Sequence, residues 1–226
     1  MASVFTLDVS GTLLALAFGV TIFYLGLQEW WFFIAVLIEF LVLSSLATRA
    51  REEEKMKLKG YEKVRSWKNV AANGLVPVLA VVVYFVYSSY LGTSLGHLNA
   101  ILYAFVASVC AITADKFASE FGVLGSTAPI DIISGKAVRK GTSGGVTRFG
   151  TLMGLFASVL VGLTVFSIGA SVLVFVVIVV SGVFGNLVDS ALGHFEEKGI
   201  GNKYTSNLMC AASGAALCAL ILWIAL

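Results

Sequence analysis

Residues 171–189 read SVLVFVVIVVSGVFGNLVD. The eighteen residues from Ser171 to Val188 carry no charge, and an apolar run of that length predicts a membrane-spanning helix, since about 20 helical residues cross the hydrocarbon layer. Outward from it, similar runs cover roughly Val9 to Leu27, Trp30 to Ala47, Val70 to Tyr87, Leu98 to Ala114, Gly150 to Ser167 and Ser206 to Leu226. The expectation is an all-α polytopic membrane protein with seven transmembrane helices. The whole chain, 226 residues with 58% hydrophobic and 12% charged positions, is consistent with that; a soluble domain carries about twice the charge. The spans leave only short loops, at about 49–68, 116–149 and 189–205, so 1–226 reads as a single integral membrane domain. Asp8 precedes the first run where a signal peptide would carry basic residues, which makes that run a retained span.

All 15 Lys and Arg residues fall in three segments: Arg49 to Lys68, Lys116 to Arg148, and Lys198 with Lys203. These follow helices two, four and six and so share one side of the membrane, which the positive-inside rule makes cytoplasmic. The N-terminus is then cytoplasmic and the C-terminus outside. The opposite loops, at 28–29, 88–97 and 168–170, contain no basic residue. On the basic side 15 cations face 10 acids, a surplus that favours anions. The net charge of +2 gives no reason to expect nucleic acid.

Beyond the first helix the chain reads as three helix hairpins with similar re-entry points: RSWKNVAANG at 65–74, KGTSGG at 140–145 and KYTSN at 203–207. Parallel hairpin repeats of this kind recur in membrane proteins. They would bring three helix N-termini, each with unpaired N–H groups and a positive dipole end, to one face.

Small residues line two helices at helical spacing: Ala104, Ala107, Ser108, Ala111 and Ala118 beside Asp115, and Gly182, Gly185, Asn186 and Gly193 beside Asp189. Gly150 and Gly154 make a third such face. Close helix packing is the direct consequence. Each acid closes its helix at the membrane boundary, opposed by the helix dipole and by desolvation, so it requires compensating positive charge from Lys, Arg or a metal. Glu120 stands four residues after Lys116 and can pair with it.

The stretch GKAVRKGTSGG at 135–145 places Lys136, Arg139 and Lys140 ahead of Gly141, Thr142, Ser143, Gly144 and Gly145. Backbone N–H groups and hydroxyls there can cradle phosphate oxygens, or the loop can attract anionic headgroups. It is not a Walker A loop, which carries its Lys after the glycines and follows a strand. Residues Arg49 to Arg65, with Glu52, Glu53 and Glu54 alternating with Lys55, Lys57 and Lys59, read as a salt-bridged helical extension. Glu39 lies mid-helix, where a carboxyl needs a proton or a partner. His97 reads as interfacial and His194 as solvated. Cys110, Cys210 and Cys218 all lie in apolar runs, with no disulfide or zinc spacing.

NG at 73–74, ADKFASEFG at 114–122, KGTSGGV at 140–146 and NLVDSALG at 186–193 together resemble the transmembrane protein 19-like family (domain of unknown function 92), which includes the plastid phytyl-phosphate kinases of plants. The resemblance covers roughly Trp67 to Gly214. It implies phosphoryl transfer from a nucleoside triphosphate, CTP among the candidates, to an isoprenoid monophosphate, giving the diphosphate. On that reading Asp115 and Asp189, with Glu120 as a further candidate, hold Mg²⁺. Lys140, with Lys136, Arg139, Arg148, Asn73, Asn186 and the 141–145 backbone, binds the phosphates. The prenyl tail lies among the helices in the bilayer. A transporter or flippase for a small anion or lipid phosphate is the alternative. A prokaryotic plasma membrane is the simplest setting, and a homo-oligomer is left open.

Overall fold

A computed structural model of the chain describes residues 7–56, 64–91 and 95–225. Its helices are α1 (Val9–Leu25), α2 (Trp30–Arg49), the one-turn α3 (Glu52–Lys55), α4 (Trp67–Val86), α5 (Leu95–Gly122), α6 (Arg148–Leu163), α7 (Val172–Glu196) and α8 (Lys203–Ala225). Six stretches are long and apolar enough to cross a membrane, and α1 is a shorter apolar helix. The chain is thus an all-α polytopic membrane protein. Its only strands among the described residues, β1 (Ile130–Asp131) and β2 (Gly145–Val146), pair as an antiparallel ribbon in the loop before α6.

Helices α1, α6, α7 and α8 begin where side chains satisfy their first N–H groups. Asp8 accepts from Gly11 N at 2.7 Å, Thr147 from Gly150 N at 3.0 Å and Ser171 from Val174 N at 3.4 Å. Asn202 accepts from Tyr204 N and Thr205 N at the start of α8. Gly169, at φ 76°, turns the chain between α6 and α7 in the left-handed region that glycine adopts without strain.

Helix α5 is the axle of the bundle. Its membrane-length stretch is 83% buried, against 28–44% for the other five long spans. The small-residue stripes explain why: a Cβ on Gly182 would lie 2.6 Å from Cys110 Cβ, one on Gly185 2.5 Å from Ala111 Cβ, and one on Gly150 2.6 Å from the Ala118 carbonyl oxygen. In lipid, where the hydrophobic effect does not drive helix association, such backbone approach supplies the packing contacts.

Helices α5 with α6, and α7 with α8, pack as antiparallel hairpins. The remaining pair does not close. Helix α2 packs chiefly on α5 and α1, and α4 on α1, α5 and α8, so α2 and α4 splay. Helix α1 runs parallel to α4, joined at one end by Asp8 N donating to the Arg65 carbonyl (3.0 Å) and further along by Phe18 against Gly74. The salt-bridged extension expected after α2 is interrupted: Arg51 is left-handed (φ 49°), and among the described residues one helical turn, α3, follows before 57–63. Lys55 turns inward, 1% exposed, to cap the Ala47 and Thr48 carbonyls at 2.6 and 2.8 Å. Lys57 and Lys59 lie outside the described residues. At the far end His97 stacks on Trp223 at 4.1 Å. The three cysteines are free and buried.

Candidate active site between the splayed helices

The splay of α2 from α4 leaves a cavity of about 300 Å³. Its wall divides by chemistry. Toward the basic end stand Arg65 just ahead of α4, Asn69 and Asn73 of α4, Asp115, Lys116 and Ser119 of α5, Asp189 of α7, and Lys203 and Asn207 of α8. Toward the bundle interior stand Phe18 of α1, Leu37 and Phe40 of α2, Val78 of α4 and Ile112 of α5. From Trp67 to Val78 the helical rise is about 17 Å, so the cavity is a deep slot with a charged mouth and an apolar floor.

Asp115 and Asp189 both line the cavity, and their carboxyl groups lie close enough to interact. Asp189 Oδ1 is buried with no hydrogen bond in the protein, and so is Asn69 Nδ2 on the opposite wall. Buried polar atoms are rarely left unpaired, and both of these belong to residues that line the cavity. Asn73 donates to the Asn69 carbonyl (2.9 Å) and accepts from Asn207 Nδ2 (3.3 Å). Pro77, inside α4, has no N–H to give the Asn73 carbonyl four residues earlier, which leaves a main-chain acceptor in this wall.

Other expected site residues lie elsewhere. Glu120, expected as a further metal ligand, is off the cavity wall and 5% exposed. Its carboxylate already accepts from Lys55 Nζ (2.8 Å), Arg65 Nη2 (3.3 Å), Thr48 Oγ1 (3.2 Å) and Lys116 Nζ. A carboxylate offers about four lone-pair sites, so none is left for a metal. Lys136, Arg139, Lys140, Gly141 and Arg148 are exposed and, with Thr142 to Gly145, stand outside the cavity. The loop folds back as the ribbon and docks on the end of α7. Lys140 Nζ reaches the Gly125 carbonyl at 2.5 Å, Ser143 donates through N to Glu197 and through Oγ to Glu196, and Gly144 N and Cα lie against Gly193. The docking point is one turn beyond Asp189. Asn186, one turn before Asp189, is buried against Gly154 rather than on the wall.

His194, expected as solvated, pairs through Nδ1 with both Asp131 oxygens at 2.9 Å. The Ser134 backbone N–H, and then His194, hold the Asp131 carboxyl well below the ordinary aspartate range. Glu196 is bonded both to Ser143 of the loop and to Ser206 of α8, joining three elements beside the carboxyl pair.

The cations of the cavity are therefore Arg65, Lys116 and Lys203, not those of the glycine loop. Sequence reasoning placed Arg65 and Lys203 at helix re-entry points without assigning them a site. The signal was present: a cation followed four residues later by Asn occurs at Arg65 and Asn69 and again at Lys203 and Asn207, and within α8 that spacing sets cation and amide on one helix face. Two of the three expected helix N-termini, those of α4 and α8, converge on the cavity; that of α6 packs on Gly122.

The model of the integral membrane protein DUF92 family matches residues 2–216. The chain belongs to that family. This DUF92 chain is 35% identical over 191 residues to the uncharacterized membrane protein MJ0933 of Methanocaldococcus jannaschii, covering 84% of this chain and 76% of the relative. It is 29% identical over 179 residues to protein PGR of Arabidopsis thaliana, covering 70% of this chain and 62% of that protein, so it spans less than two thirds of PGR. No solved structure matches it.

Two carboxylates facing a polar cavity fit Mg²⁺, which is bound by one or two carboxylates together with substrate phosphates rather than by an all-protein cage. Among the described residues no group of three or more His, Cys, Asp or Glu side chains gathers, so the donor set is Asp115 and Asp189 alone.

Proposed function

We propose that this DUF92 chain is a phosphotransferase that converts an isoprenoid monophosphate to its diphosphate with a nucleoside triphosphate, working at the basic, cytoplasmic face of the membrane. The observation that carries the reading is the division of the cavity: an apolar floor between splayed helices and a mouth holding three cations, three amides and two carboxyls. A lipid with a single phosphate head matches both halves. The resemblance to phytyl-phosphate kinases supports the same reaction class.

The prenyl tail lies against Phe18, Leu37, Phe40 and Val78. Arg65, Lys116 and Lys203 bind the monophosphate, and Asn73 and Asn207 orient it. A cavity of about 300 Å³ is at the small end of ligand sites, which suits the lipid phosphate alone. The nucleotide then enters from the mouth, and the exposed Lys136 and Arg139 of the docked loop meet its phosphates. An oxygen of the acceptor phosphate attacks the γ-phosphorus, the bond from that phosphorus to the β-bridging oxygen breaks, and the nucleoside diphosphate leaves. The attacking oxygen is already ionised, so no general base is required. Mg²⁺, held by Asp115 and Asp189, would neutralise donor phosphate charge. Lys116 and Arg65 stabilise the charge spread over the transferring group.

The test is incubation of the detergent-solubilised protein with labelled CTP or ATP, Mg²⁺ and geranylgeranyl or phytyl monophosphate. Labelled diphosphate is expected from the wild type, and a loss of at least about 100-fold in kcat from Asp115→Asn or Asp189→Asn. Full activity in either variant overturns the roles given to the pair. Absence of product across chain lengths, with lipid phosphate crossing proteoliposomes, favours transport instead.

A further inference from the structure

We infer that Glu120 is a positioning residue, holding Arg65 and Lys116 on the cavity wall in the arrangement that receives the phosphate monoester of the lipid; this rests on the function proposed above. A carboxylate placed only to neutralise a neighbour needs one cation. Glu120 gathers three, Lys55, Arg65 and Lys116, and only the last two line the cavity. Lys55 is fully committed: its three N–H groups go to the Ala47 carbonyl, the Thr48 carbonyl and Glu120 Oε2. It fixes the carboxylate to the end of α2. Glu120 Oε1 then faces Arg65 and Lys116 and draws both from behind, leaving the cluster with more positive than negative charge on the side where a phosphate would sit. Charge-assisted bonds to phosphate from Arg and Lys are the strong class.

The alternative partner for Lys116 is the carboxyl pair of Asp115 and Asp189, which lines the same cavity. Without Glu120, Lys116 and Arg65 would turn toward those carboxylates. An internal ion pair would then occupy the place of the substrate phosphate. Glu120 thus keeps the cation half and the carboxylate half of the mouth apart.

Glu120→Gln alone removes the carboxylate that offsets the buried charge of Lys55, which is strongly destabilising, so Lys55→Met serves as the reference and Lys55→Met/Glu120→Gln as the test. Geranylgeranyl monophosphate is the probe. Binding is read by tryptophan fluorescence, Trp67 lying two residues from Arg65, and turnover by product formation. The expected result is a rise of about tenfold in both Kd and KM for geranylgeranyl monophosphate in the double variant relative to the reference, with kcat changed less than about threefold. Glu120→Asp in the wild-type background should show a smaller rise. Unchanged Kd and KM overturn the inference, as does a collapse of kcat at unchanged KM, which would make Glu120 part of the chemistry. If the wild type binds the probe without phosphorylating it, the kinase reading fails and the Kd ratio alone decides this one. If the wild type binds none, both fail. Should the double variant not fold, Glu120→Asp against wild type decides, an equal Kd counting against the inference.

Discussion

Asn207 Nδ2 donates to Asn73 Oδ1 at 3.3 Å, tying the first turn of α8 to the second turn of α4 across the mouth of the cavity. Asn73 in turn donates to the Asn69 carbonyl. The bridge gives α4, which packs on α1 rather than α2, a fixed distance from α8, and so sets the width of the polar mouth.

Asn207→Ala removes the bridge and leaves the Asn73 oxygen without its donor. A net loss of about 1 kcal/mol is expected for one such hydrogen bond, read as a lowered unfolding midpoint in detergent. Because the mouth then widens, KM for the lipid phosphate should rise by about three- to tenfold with little change for the nucleotide. An Asn207→Ala protein with wild-type KM would remove Asn207 from the binding site.

Gly74 gives Phe18 its seat: a Cβ there would lie 2.7 Å from two ring carbons. Gly74→Val drives the ring into the apolar half of the cavity or lifts α1, whose buried residues are only Gly11 and Ile22. KM for a long-chain isoprenoid phosphate should increase about tenfold while the nucleotide KM holds. Comparing C10 and C20 substrates checks it, the longer chain being the more affected.

Gly182 sits where α5, α6 and α7 cross, and a Cβ there would come 2.5 Å from Ser158 Oγ and 2.6 Å from Cys110 Cβ. Overpacking a core costs about 1–3 kcal/mol. Gly182→Val should therefore lower the thermal midpoint, and Gly182→Val/Ser158→Gly should recover part of the loss. Gly169, with no atom within 4 Å of its would-be Cβ, is strained on substitution only by its positive φ, a different mechanism that Ser158→Gly cannot rescue.

Asp131 pins the ribbon to His194, and its carboxyl is held below the ordinary aspartate value by the Ser134 N–H first and His194 second. A carboxyl depressed in the folded state contributes stability that is present above its unfolded value, about 3.9, and lost as the pH falls toward its folded one. The loop should therefore detach progressively below about pH 4, seen as faster amide exchange at residues 130–146. Asp131→Asn should exchange faster at neutral pH and lose the acid dependence. An acid-insensitive wild-type loop would show that the contact does not hold the ribbon.

Much of this was readable along the chain. Ser171 to Val188 could only be a buried helix, because an unpaired backbone in lipid is prohibitively costly and a helix satisfies its own. The stripe from Gly182 to Gly193 announced close packing, since glycines at helical spacing remove the side chains that hold backbones apart. Asp115 and Asp189 declared themselves by their cost at the ends of apolar helices. The place of the glycine loop was not readable: the short-range turn chemistry that lets such a loop cradle phosphate also lets it fold into a ribbon, and the structure sets it outside the cavity with its cations exposed.

What the sequence by itself determined is set by terms each residue carries alone: transfer of apolar side chains to lipid, and placement of Lys and Arg on one side. What only the tertiary structure decided is who meets whom. The parting of α2 from α4, the burial of Lys55 beneath Glu120, and the choice of Arg65, Lys116 and Lys203 over the glycine loop all depend on pairing residues distant in sequence. Such pairings are fixed by the shared packing of several helices around α5, a collective quantity that no single helix encodes.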